Sequence, residues 1–140
     1  MREKGKPLRY DDIIVKSGEE IIISQLFVAQ RAQYFNLVDV FDRVIDSLDA
    51  MLSTLPSVYS DYSSRRKELE VWYKRKEEEI RSESVKYSDA ITRDLVHSSG
   101  MREIEDEYRR RLLRIITQVL ANHGMLRFLS HDTAIFKPVN

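Results

Sequence analysis

Glycine and proline fall at few places in this chain of 140 residues: Gly5, Gly18, Gly100 and Gly124, and Pro7, Pro56 and Pro138. Between them lie three uninterrupted stretches, 19–55, 57–99 and 101–123. These two residue types are the strongest local breakers of a helix, glycine through backbone freedom and proline through its missing N–H and ring clash. Their placement predicts an all-α fold of three helices, over about 18–55, 63–97 and 100–123.

The apolar spacing supports that division. In the first stretch Phe27, Tyr34, Leu37, Val38, Phe41, Val44, Ile45, Leu48, Met51, Leu52 and Leu55 recur at helical intervals. The segment SGEE at 17–20 reads as a capping box, with Ser17 as N-cap and Glu20 three residues on. SVYSDYSS at 57–64 reads as a turn after Pro56. The second seam is thinner: Leu69, Trp72, Tyr73, Ile80, Tyr87, Ile91 and Leu95. The third helix carries Met101, Ile104, Tyr108, Leu112, Ile115, Ile116, Val119 and Leu120, with Gly124 as its C-cap. DIIV at 12–15 and TAIF at 133–136 are short apolar segments that suit either strands or packed caps. The domain reading is a flexible basic arm and lead-in over 1–16, one helical bundle over 17–130, and a tail over 131–140.

Length then raises a question of burial. At 1.5 Å per residue the first two helices would be about 55 and 60 Å long, whereas a compact chain of this size has a radius of gyration of about 14 Å. Two architectures satisfy this. One is an elongated antiparallel hairpin of helices 1 and 2, half covered by helix 3 and completed by oligomerisation, most simply as a dimer. The other breaks helix 2 near SES, 82–84, and gives a monomeric four-helix bundle. In the first, Leu69, Trp72, Tyr73, Ile80 and Tyr87 are the candidate partner or oligomer interface, because Tyr and Trp suit surfaces that are apolar on one side and wet on the other.

Charge adds two further candidate surfaces. The 23 basic and 23 acidic side chains balance, so any polyanion binding must come from a local patch. Residues 10–55 hold three bases against eight acids, and Asp39, Asp42, Asp46 and Asp49 form an acidic ridge suited to a basic partner. The arm is basic through Arg2, Lys4, Lys6 and Arg9, and Arg109, Arg110, Arg111 and Arg114 follow on helix 3. Together these are the candidate nucleic-acid contacts. Glu105, Asp106 and Glu107 precede the first three arginines by four residues, which predicts intrahelical ion pairs that quench the patch. Glu70 with Lys74 and Glu77 with Arg81 repeat that spacing.

The sequence lacks the usual signatures of chemistry. Without cysteine there is no disulfide, thiol nucleophile or Cys-based zinc site. Asp94 and His97 make one isolated DxxH pair, where a di-metal bundle needs two such pairs with further carboxylates. His131-Asp132 lacks the earlier His and later Asp of a phosphohydrolase dyad, and Glu103 with Asp106 lacks the preceding ExxE of the helical pyrophosphatases. No phosphate loop or nucleophile motif is present. No cofactor or metal is expected, and no apolar run approaches the roughly 18 residues of a membrane span. The reading is a non-catalytic structural or adaptor protein that self-associates and docks a protein partner, with nucleic-acid association as the alternative. It is expected inside the cell, in the cytoplasm or in an assembling virion or mobile element. Few Asn and Gln, with many Ile, Arg and Glu, suit a heat-stable protein.

Overall fold

A computed structural model describes residues 10–125, with side chains from Glu20 onward. The arm residues Arg2, Lys4, Lys6 and Arg9, the TAIF segment and His131 lie outside the described residues. Four helices follow in order: α1 (Tyr10–Tyr34), α2 (Val38–Leu52), α3 (Pro56–Ser84) and α4 (Ala90–Asn122). Among the described residues there is no strand. The fold is all-helical, but its divisions are not those of the three stretches between breakers. Two compact units result, one containing α1 and α2 and the other containing α3 with α4 up to Val119.

The first unit depends on a turn that no glycine or proline marks. Asn36 takes φ 58°, the left-handed conformation. Around it Asn36 N–H donates to the Gln33 carbonyl at 3.1 Å and Leu37 N–H to the Ala32 carbonyl at 2.7 Å. This is a Schellman ending, in which an αL residue lets two late carbonyls find donors, and Asn tolerates it better than other side chains. The single helix expected over 18–55 is therefore two, and the apolar series changes phase at the corner. Tyr34 and Leu37, expected on the seam, are exposed. The α2 core is Phe41, Ile45, Leu48 and Leu52, spaced four, three and four. It packs with α1, whose buried residues are Ile22, Ile23, Leu26, Ala29 and Ala32. Each large apolar side chain hidden this way contributes about 1.5–3 kcal/mol.

At its start α1 also departs from expectation. It runs through Ser17 and Gly18, so SGEE is no N-terminus, and DIIV is helical rather than extended. A glycine inside a helix costs about 1 kcal/mol, a handicap rather than a stop, and the burial that follows outweighs it.

In the second unit Pro56 opens a helix instead of closing one. Ser53 and Thr54 turn their hydroxyls back onto the Ala50 and Met51 carbonyls, at 2.6 and 2.7 Å, and finish α2. Proline then suits the first helical position, where its missing N–H has no partner to lose. SVYSDYSS is accordingly the first two turns of α3, anchored by buried Val58 and Tyr62 one turn apart. The hairpin bends at the SES segment: α3 ends at Ser84, whose hydroxyl donates to the Arg81 carbonyl at 3.0 Å. After the turn Asp89 caps α4, accepting from Thr92 N–H and Thr92 Oγ1 at 2.8 Å each. Those two bonds hold the Asp89 carboxyl below its ordinary pKa.

Gly100 interrupts nothing and lies within α4. Its use is proximity: Ile80 Cγ1 and Cγ2 stand 3.0 Å from where a Cβ would be. That contact, Tyr73 against Tyr108 and Trp72 beneath Arg111 run in opposite chain order, so α3 and α4 are antiparallel. Gly124 (φ 72°) ends α4 with Met125 N–H on the Leu120 carbonyl at 2.8 Å, a second Schellman ending.

Two substitutions test these turns and contacts. Asn36→Val should destabilise the protein by about 1–2 kcal/mol, whereas Asn36→Gly should be tolerated, as read by chemical denaturation. Gly100→Ala gains about 1 kcal/mol of helix propensity but must displace two γ carbons of Ile80. Its stabilisation should therefore appear only in an Ile80→Ala background, and a double-mutant cycle that is additive would show that the close approach carries no energy.

Candidate interaction surface

The α3–α4 seam carries the densest arrangement of aromatic and charged groups. Leu69 is buried at its base, with Ile104 and Leu112 on the facing helix. Tyr73 and Tyr108 meet edge to face, ring centroids 5.3 Å apart. The Tyr108 hydroxyl donates to the Glu70 carboxylate across the seam. Burial first, and then the hydrogen bond to Glu70, raise the Tyr108 pKa above its ordinary value of 10.0. Burial also raises that of Tyr73, with the Glu105 and Glu77 carboxylates acting in the same direction. The Arg111 guanidinium covers the Trp72 ring at 4.3 Å, a cation–π contact of about 0.5–1 kcal/mol at a half-exposed site.

Four of the five candidate interface residues are thus engaged inside the chain. Leu69 is buried, Trp72 and Tyr73 are half-covered by Arg111 and Tyr108, and Ile80 lies against Gly100. The break at Ser84 is the physical reason: it folds α4 back on α3, so the seam finds its cover within one hairpin. Tyr87, beyond the break, stays exposed.

The charged candidates divide similarly. Glu107 accepts from Arg110 at 2.6 Å and from Arg111 at 2.9 Å, and both bonds hold its carboxyl below the ordinary range. Arg109 reaches Asp106 at 3.5 Å. Of these three pairs Glu107–Arg111 uses the four-residue spacing, and the other two close over three residues. Arg114 is exposed. On α3, Glu70 takes the Tyr108 hydroxyl and Arg81 pairs with Glu78, in place of the expected Lys74 and Glu77 partners. On α2, Asp39, Asp42 and Asp46 are exposed and Asp49 is half-buried, on the side away from Phe41, Ile45, Leu48 and Leu52. Arg43 directs its Nε to the Asp39 backbone carbonyl at 3.4 Å rather than to a carboxylate of the ridge.

Tyr87 apart, the candidates read from the sequence do not include the surfaces that the structure leaves apolar. On α1, Ile21 and Val28 are 47% and 45% exposed, and with Val44 of α2 they line an open groove of about 470 Å³ that includes Glu20, Ser24 and Gln25. At the α1–α2 corner Tyr34 and Phe35 stack edge to face, centroids 5.0 Å apart, and both are exposed. At the turn of the hairpin, Val85 and Tyr87 are exposed, together with Ile91 (71%) and Leu95 (65%) one turn apart on α4. The helical spacing of Ile91 and Leu95 was legible, and a break near 82–84 was one of the two architectures, but which side chains that turn leaves without a facing helix was not.

Among the described residues no group of three or more His, Asp or Glu is placed to hold a metal ion, and His97 and His123 are exposed. Nor is any described helix long and apolar enough to cross a membrane. Comparison with protein-family models, with curated proteins and with solved structures finds no match.

The raised tyrosines define a pH window. A folded pKa above the unfolded one means that the folded chain keeps its proton longer, so stability is full below pH 10 and falls as pH rises through the folded values. Thermal midpoints should be level near neutrality and drop above about pH 10, and Tyr73→Phe with Tyr108→Phe should flatten that drop. Tyr108→Phe should also cost about 0.5–1.5 kcal/mol at neutral pH through the lost hydrogen bond.

Proposed function

We propose that this chain is a non-catalytic helical adaptor that self-associates and docks a second protein. The observation that carries the reading is the apolar tip of the α3–α4 hairpin, where Val85, Tyr87, Ile91 and Leu95 stand exposed. Scattered single apolar residues are ordinary on a protein surface, but several gathered at one end of an element mark a contact surface. A helix pair offering large aliphatic and aromatic side chains at its turn fits an apolar pocket on a partner, with the central residues supplying most of the binding energy. The α2 aspartates lie on the other unit and supply a second, electrostatic element, suited to orienting a basic partner surface more than to adding affinity. The α4 arginines support the nucleic-acid alternative less, because Glu107 and Asp106 already engage three of them.

The test is affinity capture with the full chain, followed by quantitative binding of whatever protein co-purifies. Ile91→Ser with Leu95→Ser should abolish at least tenfold of the affinity, at about 1.4 kcal/mol per factor of ten, with helicity unchanged. Binding indifferent to these two changes, or a preference for DNA or RNA that falls steeply with salt, would reject this assignment of the surface.

A further inference from the structure

We infer that the self-association surface is the outer face of α1, paired antiparallel with the same face of a second copy. The inference rests on the self-association part of the function proposed above. Five residues of α1 form this face, Glu20, Ile21, Ser24, Val28 and Arg31, and Phe35 just past the helix end continues it, all exposed. From Ser24 their spacing is four, three and four, the interval of a helix–helix seam. The opposite face of α1 is already committed to the core through Ile22, Ile23, Leu26, Ala29 and Ala32. A helix apolar on both sides is one expected to be covered on both sides.

Charge decides what covers it. Between Glu20 and Tyr34 the segment EIIISQLFVAQRAQY holds two charged residues, an acid at one end and a base near the other. No ion pair among the described residues engages either. A two-fold axis crossing α1 near Leu26 sets Glu20 of each copy beside Arg31 of the other. The same axis brings the small Ser24 opposite Val28 and closes both apolar positions. A parallel arrangement would instead set Glu20 against Glu20 and Arg31 against Arg31. The groove between α1 and Val44 of α2 lies along one side of this face and receives side chains of the incoming helix, which is how an amphipathic helix docks into a groove. The surface is self-complementary, as a two-fold interface requires.

A charge swap in the full chain, with molar mass measured by sedimentation or light scattering across concentration, tests this. The wild type should dimerise. Glu20→Arg alone and Arg31→Glu alone should each weaken the dimer about tenfold, since each creates two like-charge contacts. The double swap should restore wild-type affinity. Val28→Asp, at an exposed position, should give a monomer with unchanged helicity by circular dichroism. A wild type that is monomeric at every concentration overturns this inference and the self-association reading together. A dimer whose affinity ignores all three changes overturns the α1 assignment alone and leaves self-association standing. Weakening by the single swaps without rescue in the double overturns the antiparallel pairing.

Discussion

Each helix end leaves up to four backbone groups without an intrahelical partner, and where this chain satisfies them decides which apolar residues meet. At Asn36 an αL residue turns two carbonyls onto late N–H groups. At Ser53 and Thr54 hydroxyls fold back onto the preceding turn. At Asp89 a carboxylate takes the Thr92 N–H. These turns leave α1 packed with α2, and α3 folded against α4. Had the chain stayed helical through Asn36, Leu26 and Phe41 would lie on one continuous rod and could not share a core.

The same constraint explains why the two units differ in character. Around α1 and α2 the buried side chains are aliphatic or aromatic, without charge. The α3–α4 seam is instead joined by Glu70 with Tyr108, Tyr73 with Tyr108, and Trp72 beneath Arg111. Such pairs contribute modestly to stability because their groups give up water to form them. Their geometry is demanding, however. A one-turn slip of α4 along α3 would separate Glu70 from Tyr108 and drive Ile80 against a residue with a Cβ. The polar seam and Gly100 therefore fix register, and the aliphatic core supplies most of the folding energy.

How far the sequence was legible follows from which residues make the turns. Helical periodicity is a property of many residues at once, so the all-helical class could be read directly, as could Gly124, whose αL conformation suits glycine. The boundaries could not be read from glycine and proline alone. Gly18 and Gly100 sit inside helices, where their cost of about 1 kcal/mol is small against burial. Pro56 begins a helix. The real breaks belong to Asn36, to Ser53 with Thr54, and to Asp89, residues whose side chains compete for backbone groups and whose preference shows only when neighbouring burial agrees. Ser82–Ser84 gave a usable sign, since two serines flanking a glutamate end the charged run. The seam residues Leu69, Trp72 and Tyr73 were identifiable as contact residues, but the sequence could not say whether the contact lay within the chain.

Along the hairpin, burial thins toward the turn. Beyond Leu69 and Ile104, Ser84 is the buried residue among those described, while Val85, Ile91 and Leu95 face water. Local opening is easiest where few apolar contacts must be broken, so this end of the hairpin is held by the register contacts at Gly100 and Tyr73 more than by a core. A partner covering Ile91 and Leu95 would add the apolar contacts that the hairpin lacks there. Docking and local ordering would then be one event, and part of the binding energy would be spent on ordering the tip. The α1 face differs: it lies on a helix whose other side is already anchored by five buried residues. Covering it needs no prior ordering of its backbone, which makes α1 the better platform for a standing self-association and the hairpin tip the better site for a conditional one.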